Sequence, residues 1–198
     1  FQVEGAQGLD FERLLSPNTF CERSVMFDLN YFKYCFLKTA DLPFDEMRLE
    51  DDFEALTKDL VEGVDNEGFF LYRDFQSRNV MVCDTNSYMI DFQGGRRGPL
   101  PYDVASFLWQ ASAGYPQALR DRLIEEYLDE LNSLRPVDRE QFRSDLLRFV
   151  LFRLLQVLGA YGLRGRFERK PYFLQSIPPA LENVHALLAQ GAASGYPT

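Results

Sequence analysis

One segment near the middle of the chain guides the interpretation of the rest, and it reads Tyr72-Arg73-Asp74-Phe75-Gln76-Ser77-Arg78-Asn79. An apolar run at 69–72 leads into it, which predicts a short strand followed by a polar loop. Two further apolar runs, 80–83 and 87–90, lie on either side of the turn-forming residues 84–86. The order strand, loop and β-hairpin is therefore predicted for this part of the chain.

The loop and the end of the hairpin carry oxygen-bearing side chains. Asp74 and Asn79 lie on the loop, and Asp91 stands at the end of the hairpin, twelve residues beyond Asn79. Phosphoryl transfer from a nucleotide needs a carboxylate that takes the proton of the acceptor hydroxyl, and a carboxylate and an amide oxygen that hold Mg²⁺. The hairpin is expected to return Asp91 to the two loop residues. The alternative is that Asp74 and Asn79 only cap turns.

Amphipathic patterns predict helices over most of the remaining chain. These helices are predicted from Ser16-Pro17 to about Lys38, around 49–60, and at about 102–113, 116–133, 138–163 and 179–190. The inward stripes of the first two are Val25, Leu29, Phe32 and Phe36, and Leu49, Phe53, Leu56 and Leu60. The 138–163 segment is apolar around most of its circumference, which predicts a buried central helix. The expected fold class is α+β, mainly α, with short β-hairpins beside the polar loop.

The composition excludes several classes of protein. The chain has 198 residues, 46% of them hydrophobic, which suits one domain or one lobe with a sizeable core. Its net charge of −9 argues against a nucleic-acid binder, because phosphate contacts need a basic face. One His excludes a His-rich zinc site, and three Cys without CxxC spacing give neither a disulfide framework nor a zinc ribbon. No signal peptide or run of about 18 apolar residues is found. We therefore expect a cytoplasmic protein with no nucleic-acid or membrane partner.

The motifs resemble the catalytic core of the aminoglycoside phosphotransferase/choline kinase family, whose members are relatives of the protein kinases. The H-x-D-x4-N loop of that family is matched by Tyr72 to Asn79, and its Asp-Phe-Gly-like metal site by Asp91-Phe92-Gln93. The run from Gly98 to Ala105 is similar to the family's G-P-x-x-x-D-[LV]-A helix start. Within the family, the motifs are most similar to those of bacterial cell-wall amino-sugar kinases, which phosphorylate N-acetylmuramate or N-acetylglucosamine.

The resemblance implies roles for individual residues and implies ATP and Mg²⁺ as cofactors. Asp74 is implied as the catalytic base, and Asn79 and Asp91 as ligands of Mg²⁺. Arg73 and Asp103 are implied to support the catalytic loop. The bracing role of Asp103 also follows from its place after a proline, where an Asp makes a good N-cap whose oxygens reach loop amides. Tyr72 stands where the family usually has His, which leaves open the hydrogen bond behind the metal site.

Further residues are candidates for binding the substrate, a small molecule. They are Gln76, Arg78, Gln93, Asp28, Asn30, Arg96 and Arg97. Cationic acceptors need an acidic or aromatic cage, whereas the residues that flank the motif are rich in Arg. A neutral or anionic amino sugar is therefore expected as the acceptor. The alternatives are a choline- or aminoglycoside-type kinase and a non-catalytic, regulatory kinase-like module.

The domain organisation is expected to be that of one lobe of a kinase. Residues 1–190 are interpreted as a kinase-like C-terminal lobe, and 191–198 as a linker to a possible downstream domain. No glycine-rich loop with the family's spacing precedes residue 68, and the segment before it is rich in predicted helix. The nucleotide-holding N-terminal lobe is therefore expected upstream, as the partner of this lobe. The C-terminal lobe alone is expected to be nearly inactive.

Overall fold

The computed structural model describes residues 1–64 and 68–198, and helices dominate it. The helices are α1 (Glu22–Phe32), α2 (Glu46–Val61), α3 (Leu100–Leu108), α4 (Gln117–Leu134), α5 (Arg139–Tyr161) and α6 (Pro171–Ala189). The strands are short: β1 (Phe70–Leu71), β2 (Val80–Cys83), β3 (Asn86–Met89) and β4 (Arg96–Arg97). The predicted fold class, α+β and mainly α, is confirmed.

The chain divides into two units, which are described separately. The first unit comprises Phe1–Phe20 and Asp65–Leu146 and contains every strand of the described residues. The second unit comprises Cys21–Val64 and Leu147–Thr198. Helix α5 contributes residues to both units, since the division falls within it.

The strands of the first unit form two antiparallel pairs. β1 pairs with β4, with Phe70 opposite Arg97, and β2 pairs with β3, with Val80 opposite Met89. The strand and hairpin lie where the alternation of apolar runs and turn residues predicted them. A Cβ atom at Gly95 would overlap the ring of Phe70, so only glycine allows the chain after the hairpin to approach β1 this closely.

The first helix begins later than the sequence pattern predicted. It starts at Glu22, after Cys21, and not at Ser16-Pro17. The preceding residues are extended and pair with β4: the amide of Arg97 donates to the carbonyl of Asn18 (2.8 Å), and the amide of Phe20 donates to the carbonyl of Arg97 (2.7 Å). Backbone pairing with a distant strand therefore replaces the helical hydrogen bonds that the local sequence favours.

Two other helix boundaries differ from the prediction. α3 ends at Leu108 and not near 113, and the chain turns at Gly114, whose φ of 58° is incompatible with a right-handed helix. α6 begins at Pro171 and not near 179. A proline is tolerated in the first turn of a helix, because an amide hydrogen at that position would have no acceptor within the helix. Pro178 and Pro179 lie inside this helix, close to the residue at which the helix was predicted to begin.

The second unit buries the apolar stripes predicted for its helices. The predicted inward residues are all buried: Val25, Leu29, Phe32 and Phe36, and Leu49, Phe53, Leu56 and Leu60. The buried amine of Lys33 forms ion pairs with Glu50 and Glu46, which attach the end of α1 to the start of α2. Its pKa is raised because it donates a hydrogen bond to Glu50, although burial acts in the opposite direction.

Two π-helical turns contact each other in this unit, Lys33–Leu37 after α1 and Gly162–Phe167 after α5. A Cβ atom at Gly162 would overlap the backbone carbonyl of Cys35, so glycine permits the contact. Arg166 donates to the carbonyl of Phe36 (3.2 Å), a backbone acceptor within the first of these turns. Side-chain and backbone contacts thus connect the two wide turns directly.

Helix α5 is buried along much of its length, as its apolar circumference predicted. Phe149, Val150 and Phe152 have no exposed surface. By length and composition, the segment Arg139–Phe167 is apolar enough to cross a membrane, although the sequence analysis found no such run. Of its most apolar window, 61% is buried inside the protein, which is the burial of a core helix.

The C-terminal residues contact α2 within the second unit. The hydroxyl of Tyr196 donates to the carboxylate of Asp59, and the backbone amide of Thr198 donates to Asp52 (2.6 Å). Burial and the hydrogen bond to Asp59 raise the pKa of the Tyr196 phenol. The segment interpreted as a linker, 191–198, therefore makes specific contacts with α2, and a domain beyond it stays a prediction.

Candidate active site

The loop and the hairpin bring Asp74, Asn79 and the residue before Asp91 together. The side-chain amide of Asn79 donates to the backbone carbonyl of Asp74 (2.8 Å), so it spans the loop. The backbone amide of Ile90 donates to the carbonyl of Asn79 (3.0 Å), which continues the β2–β3 ladder by one pair. Asn79 is buried, and its amide nitrogen is occupied by Asp74, which leaves the amide oxygen for a cation.

The carboxylate of Asp74 faces the chain that follows Asp91. A Cβ atom at Gly94 would lie 3.7 Å from Oδ2 of Asp74, so the two segments are in direct contact. Gln93 donates to Oδ1 of Asp91 (2.8 Å) and orients that carboxylate. Asp74 is half-buried and Asp91 is exposed, so both can be reached from solvent.

Left-handed backbone conformations occur at Asp91 itself and at the residue before Asp74. Arg73, which precedes Asp74, has a φ of 76°, and Asp91 has a φ of 70°. A residue other than glycine in this region costs about 1–3 kcal/mol, and such residues cluster at functional sites. The strain falls on the two positions that set the directions of Asp74 and Asp91.

Tyr72 provides the hydrogen bond behind Asp91 that its replacement of His had left open. Its ring is 1% exposed, and its hydroxyl donates to the carbonyl of Ile90, the residue that precedes Asp91. Burial raises the pKa of the Tyr72 phenol, and the negative charges of Asp91, Asp103 and Asp74 raise it further. The phenol thus stays neutral and donating at physiological pH. The same three carboxylates give this part of the unit a negative charge.

The carboxylate of Asp103 holds the start of the loop. Its Oδ2 accepts from the backbone amide of Tyr72 (2.8 Å), and its Oδ1 accepts from the amide of Arg73 (2.9 Å). The N-cap role expected for Asp103 is wrong, because Pro99 precedes α3 and Asp103 is the fourth helical residue. From that position its side chain points away from its own helix and accepts hydrogen bonds from the loop amides. The expected bracing contact is therefore present, but it comes from within the first turn of α3 and not from an N-cap residue.

Three residues of this region were missed by sequence reasoning. Gln2 donates to Oδ2 of Asp103 (3.2 Å), and the hydroxyl of the half-buried Tyr127 donates to Oε1 of Gln2 (2.7 Å). Gln110 accepts from the backbone amide of Ser77 (2.9 Å). These residues lie far from the motif in sequence and belong to no pattern, so no sequence signal identified them.

The chain matches a known protein family over a range that contains this site. The model of the phosphotransferase enzyme family matches residues 24–138, more than half of the chain, and this range includes the loop, the hairpin and Asp103. The chain belongs to this phosphotransferase family. The resemblance stated from the motifs is thereby confirmed.

Two curated relatives that this chain matches carry the same name, N-acetylmuramate/N-acetylglucosamine kinase. The protein from Pseudomonas aeruginosa is 27% identical over 125 residues, which are 61% of this chain and 37% of the relative. The protein from Pseudomonas putida is 26% identical over 125 residues, 61% of this chain and 36% of the relative. The chain thus matches little more than a third of the length of either relative.

The oxygen donors on the loop and after the hairpin fit Mg²⁺. Among the described residues, no group of three or more His, Cys, Asp or Glu side chains is arranged to hold a metal ion. Mg²⁺ in phosphoryl-transfer sites instead takes one or two protein oxygens together with phosphate oxygens and water. The carboxylate of Asp91 and the amide oxygen of Asn79 are oxygen donors of that kind, so the residues present suit Mg²⁺ bound together with a nucleotide.

The candidate substrate residues of the first unit differ in surroundings. Gln76 is half-buried and Arg78 is exposed on the loop itself. Arg96 is buried and directs its Nε to the carbonyl of Gly94 (3.4 Å), and Arg97 stacks on the ring of Phe11 at 4.6 Å. The two arginines next to the hairpin thus contribute to the structure of the first unit. A substrate role for any of these residues stays a prediction.

Asp28 and Asn30 belong to the second unit. Asp28 accepts a hydrogen bond from the side chain of Gln156 on α5, and Asn30 donates to the carbonyl of Met26 (3.0 Å). Asn30 thus binds its own helix, and Asp28 connects α1 to α5. A substrate role for these two residues also stays a prediction.

Proposed function

We propose that this chain is the catalytic lobe of a kinase that transfers the γ-phosphate of ATP to a hydroxyl of a small molecule. The observation that supports it is that Asp74 and Asn79 share a loop held by Asp103, and that Asp91 follows a hairpin that pairs with Asn79 through Ile90 and is contacted by Tyr72. Membership of the phosphotransferase family supports the same reaction type. The intact set of acidic and amide groups argues against a non-catalytic regulatory module.

In the proposed mechanism, Asp74 is the base. Its half-buried carboxylate accepts the proton of the acceptor hydroxyl as the acceptor oxygen bonds to the γ-phosphorus. The bond between the γ-phosphorus and the β,γ-bridging oxygen breaks, and ADP leaves with its electron pair. Asn79 and Asp91 would hold Mg²⁺, which neutralises the charge on the phosphates when it is bound.

The acceptor is proposed to be an amino sugar, N-acetylmuramate or N-acetylglucosamine. The names of the two relatives support this choice. The exposed guanidinium of Arg78 lies on the catalytic loop, where it would favour a neutral or carboxylate-bearing acceptor over a cationic one. A cationic acceptor such as choline or an aminoglycoside would meet repulsion from this side chain.

The proposal includes an N-terminal lobe that holds the nucleotide and acts with this lobe. Within the described part of residues 1–64, no strand precedes β1 apart from the isolated bridge at Thr19, so a strand-built nucleotide cover is not supplied there. The hairpin and the residue after it expose Met81, Val82 and Ile90. This apolar surface suits contact with the adenine base of the nucleotide and with a covering lobe. We expect the whole protein to act in the cytoplasm, where ATP is available.

Phosphate transfer tests the proposal directly. The protein that carries both lobes is incubated with MgATP and with N-acetylmuramate, N-acetylglucosamine, choline or kanamycin, and products are identified by ³¹P NMR. We expect phosphorylation of the amino sugars only, and its loss in Asp91→Asn with retention in Asp84→Asn, an exposed residue at the hairpin tip. Turnover of choline or kanamycin alone would reverse the choice of acceptor. No transfer to any of the four would contradict the kinase itself.

A further inference from the structure

Helix α3 and the residues just after it contact the catalytic loop at three successive points. Asp103 binds the amides at the start of the loop, as described above. Phe107 stacks on Phe75 of the loop, with ring centroids 4.7 Å apart. Gln110 contacts Ser77. Asp103 and Phe107, four residues apart, lie on one face of α3, and Gln110 lies just beyond the end of that helix. Together the three residues follow the loop from its beginning to its last turn.

The contact between Gln110 and Ser77 takes the place of a missing N-cap. Residues Ser77–Asn79 form a single 3₁₀ turn, and within the described residues the side chain of Gln76, its N-cap residue, makes no capping hydrogen bond. Oε1 of Gln110 instead accepts from both the amide and the hydroxyl of Ser77, at 2.9 and 3.0 Å. The first amide of a helical turn needs such an acceptor, and here it comes from another part of the chain.

The orientation of Gln110 is itself set by a neighbour. Its Nε2 donates to the hydroxyl of Ser112 (2.8 Å), and this bond directs Oε1 to Ser77. The side chain lies beyond the end of α3 and is only half-buried, so its contacts are polar and few. Its removal is therefore expected to leave the core of the unit intact.

The turn that Gln110 holds also positions Asn79. The amide of Asn79 donates to the carbonyl of Gln76 (2.9 Å) across the turn, and its side chain donates to Asp74 (2.8 Å). A displacement of Ser77 would therefore move the amide oxygen proposed to face Mg²⁺ and the backbone of the proposed base. Both groups act through position, since phosphoryl transfer depends on alignment more than on covalent help from the protein.

We infer that Gln110 is a positioning residue for phosphoryl transfer, acting through Ser77 on Asn79 and Asp74. The inference rests on the proposed kinase function. It adds a second anchor for the loop, at the opposite end from Asp103. It also predicts which atom matters: the oxygen of Gln110 accepts from Ser77, so any side chain of similar length with an accepting oxygen should suffice.

The test compares Gln110→Leu, which removes the acceptor, with Gln110→Glu, which keeps it. The hydroxyl of Ser112 can rotate to donate to the new carboxylate, so the Glu side chain retains its orientation. Gln117→Leu is the matched control, because Gln117 is exposed on α4 and donates to Asp121 of its own helix. The proteins carry both lobes, and hydrogen exchange at the Ser77 amide is measured alongside kcat and KM for the acceptor.

We expect faster exchange at Ser77 and a fall in kcat of about tenfold in Gln110→Leu, which corresponds to about 1.4 kcal/mol in the barrier. KM and the thermal midpoint should change little, and Gln110→Glu and Gln117→Leu should resemble the unmodified protein. Unchanged exchange at Ser77 in Gln110→Leu overturns the inference, whatever the acceptor is. Faster exchange with an unchanged kcat would show that Gln110 holds the loop but does not position groups for phosphoryl transfer, and it overturns that part of the inference. Absence of turnover in the unmodified protein contradicts the proposed function instead, and the exchange measurement still decides whether Gln110 holds the loop.

Discussion

Oδ2 of Asp103 lies 2.8 Å from the backbone nitrogen of Tyr72, 31 residues earlier in the chain. The carboxylate is 3% exposed, and it accepts hydrogen bonds from two backbone amides and from the side-chain amide of Gln2. A buried carboxylate is stable only with such donors, so the first residues of the loop and helix α3 stabilise each other. The site is therefore held by a contact between two elements that neither one specifies alone.

Asp103→Asn should destabilise the protein. The substitution removes the charge and directs an NH₂ group at one of the two loop amides, which leaves a buried donor unsatisfied. Such a loss costs about 1.5–3 kcal/mol. Urea unfolding measures it, with the exposed Asp121→Asn on α4 as the control. Equal stability of the two variants would show that Asp103 does not hold the loop.

Tyr72→Phe should weaken the proposed metal site without preventing folding. The ring keeps its place, but the hydroxyl that binds the carbonyl before Asp91 is lost. We expect the Mg²⁺ concentration for half-maximal rate to rise about tenfold, as for other residues that orient a metal ligand. Tyr72→His should restore a donor at this position, and the exposed Tyr88→Phe serves as the control. An unchanged Mg²⁺ dependence in Tyr72→Phe would assign the phenol to packing alone.

Asp74→Asn should abolish most of the proposed transfer, because the amide cannot accept the proton of the acceptor. A positioned base contributes about 10²–10⁴-fold, so kcat should fall by that factor while nucleotide affinity changes little. Steady-state kinetics and nucleotide titration measure the two effects separately. If kcat were unaffected, the base would have to be another group.

Gly162→Ala should destabilise the second unit. The added Cβ would overlap the carbonyl of Cys35, so the two π-helical turns would have to separate. We expect a loss of about 1–3 kcal/mol, the usual cost of overpacking. Gly195→Ala is the control, since nothing lies within 4 Å of a Cβ atom at that position. Thermal unfolding distinguishes the two, and equal midpoints would mean that the turns tolerate the extra atom.

The stability of the protein should fall at alkaline pH through Tyr127. Burial raises the pKa of this phenol, and the charge of Asp103 raises it further. A folded-state pKa above the unfolded value of about 10 gives a contribution that is present below that pH and is lost as the pH rises above it. Urea midpoints measured from pH 8 to 11 should therefore fall more steeply in the unmodified protein than in Tyr127→Phe. Parallel curves for the two proteins would contradict this assignment.

The sequence by itself determined the features that depend on local order. The strand, loop and hairpin around Asp74, Asn79 and Asp91 follow from apolar runs and turn residues, which act over a few positions. The buried stripes of α1 and α2 follow from helical periodicity. The family also follows from these motifs, because they are contiguous.

Only the tertiary structure decided the features that depend on distant partners. Residues 18–20 have a helical pattern but pair with β4, so the start of α1 could not be read locally. Asp103 looked like a cap for its own helix, yet its oxygens hold the amides of Tyr72 and Arg73. Gln2, Tyr127 and Gln110 carry no motif, and folding alone brings them to the loop. A hydrogen bond between residues far apart in sequence leaves no periodic trace, so its partners become visible only when the chain is folded.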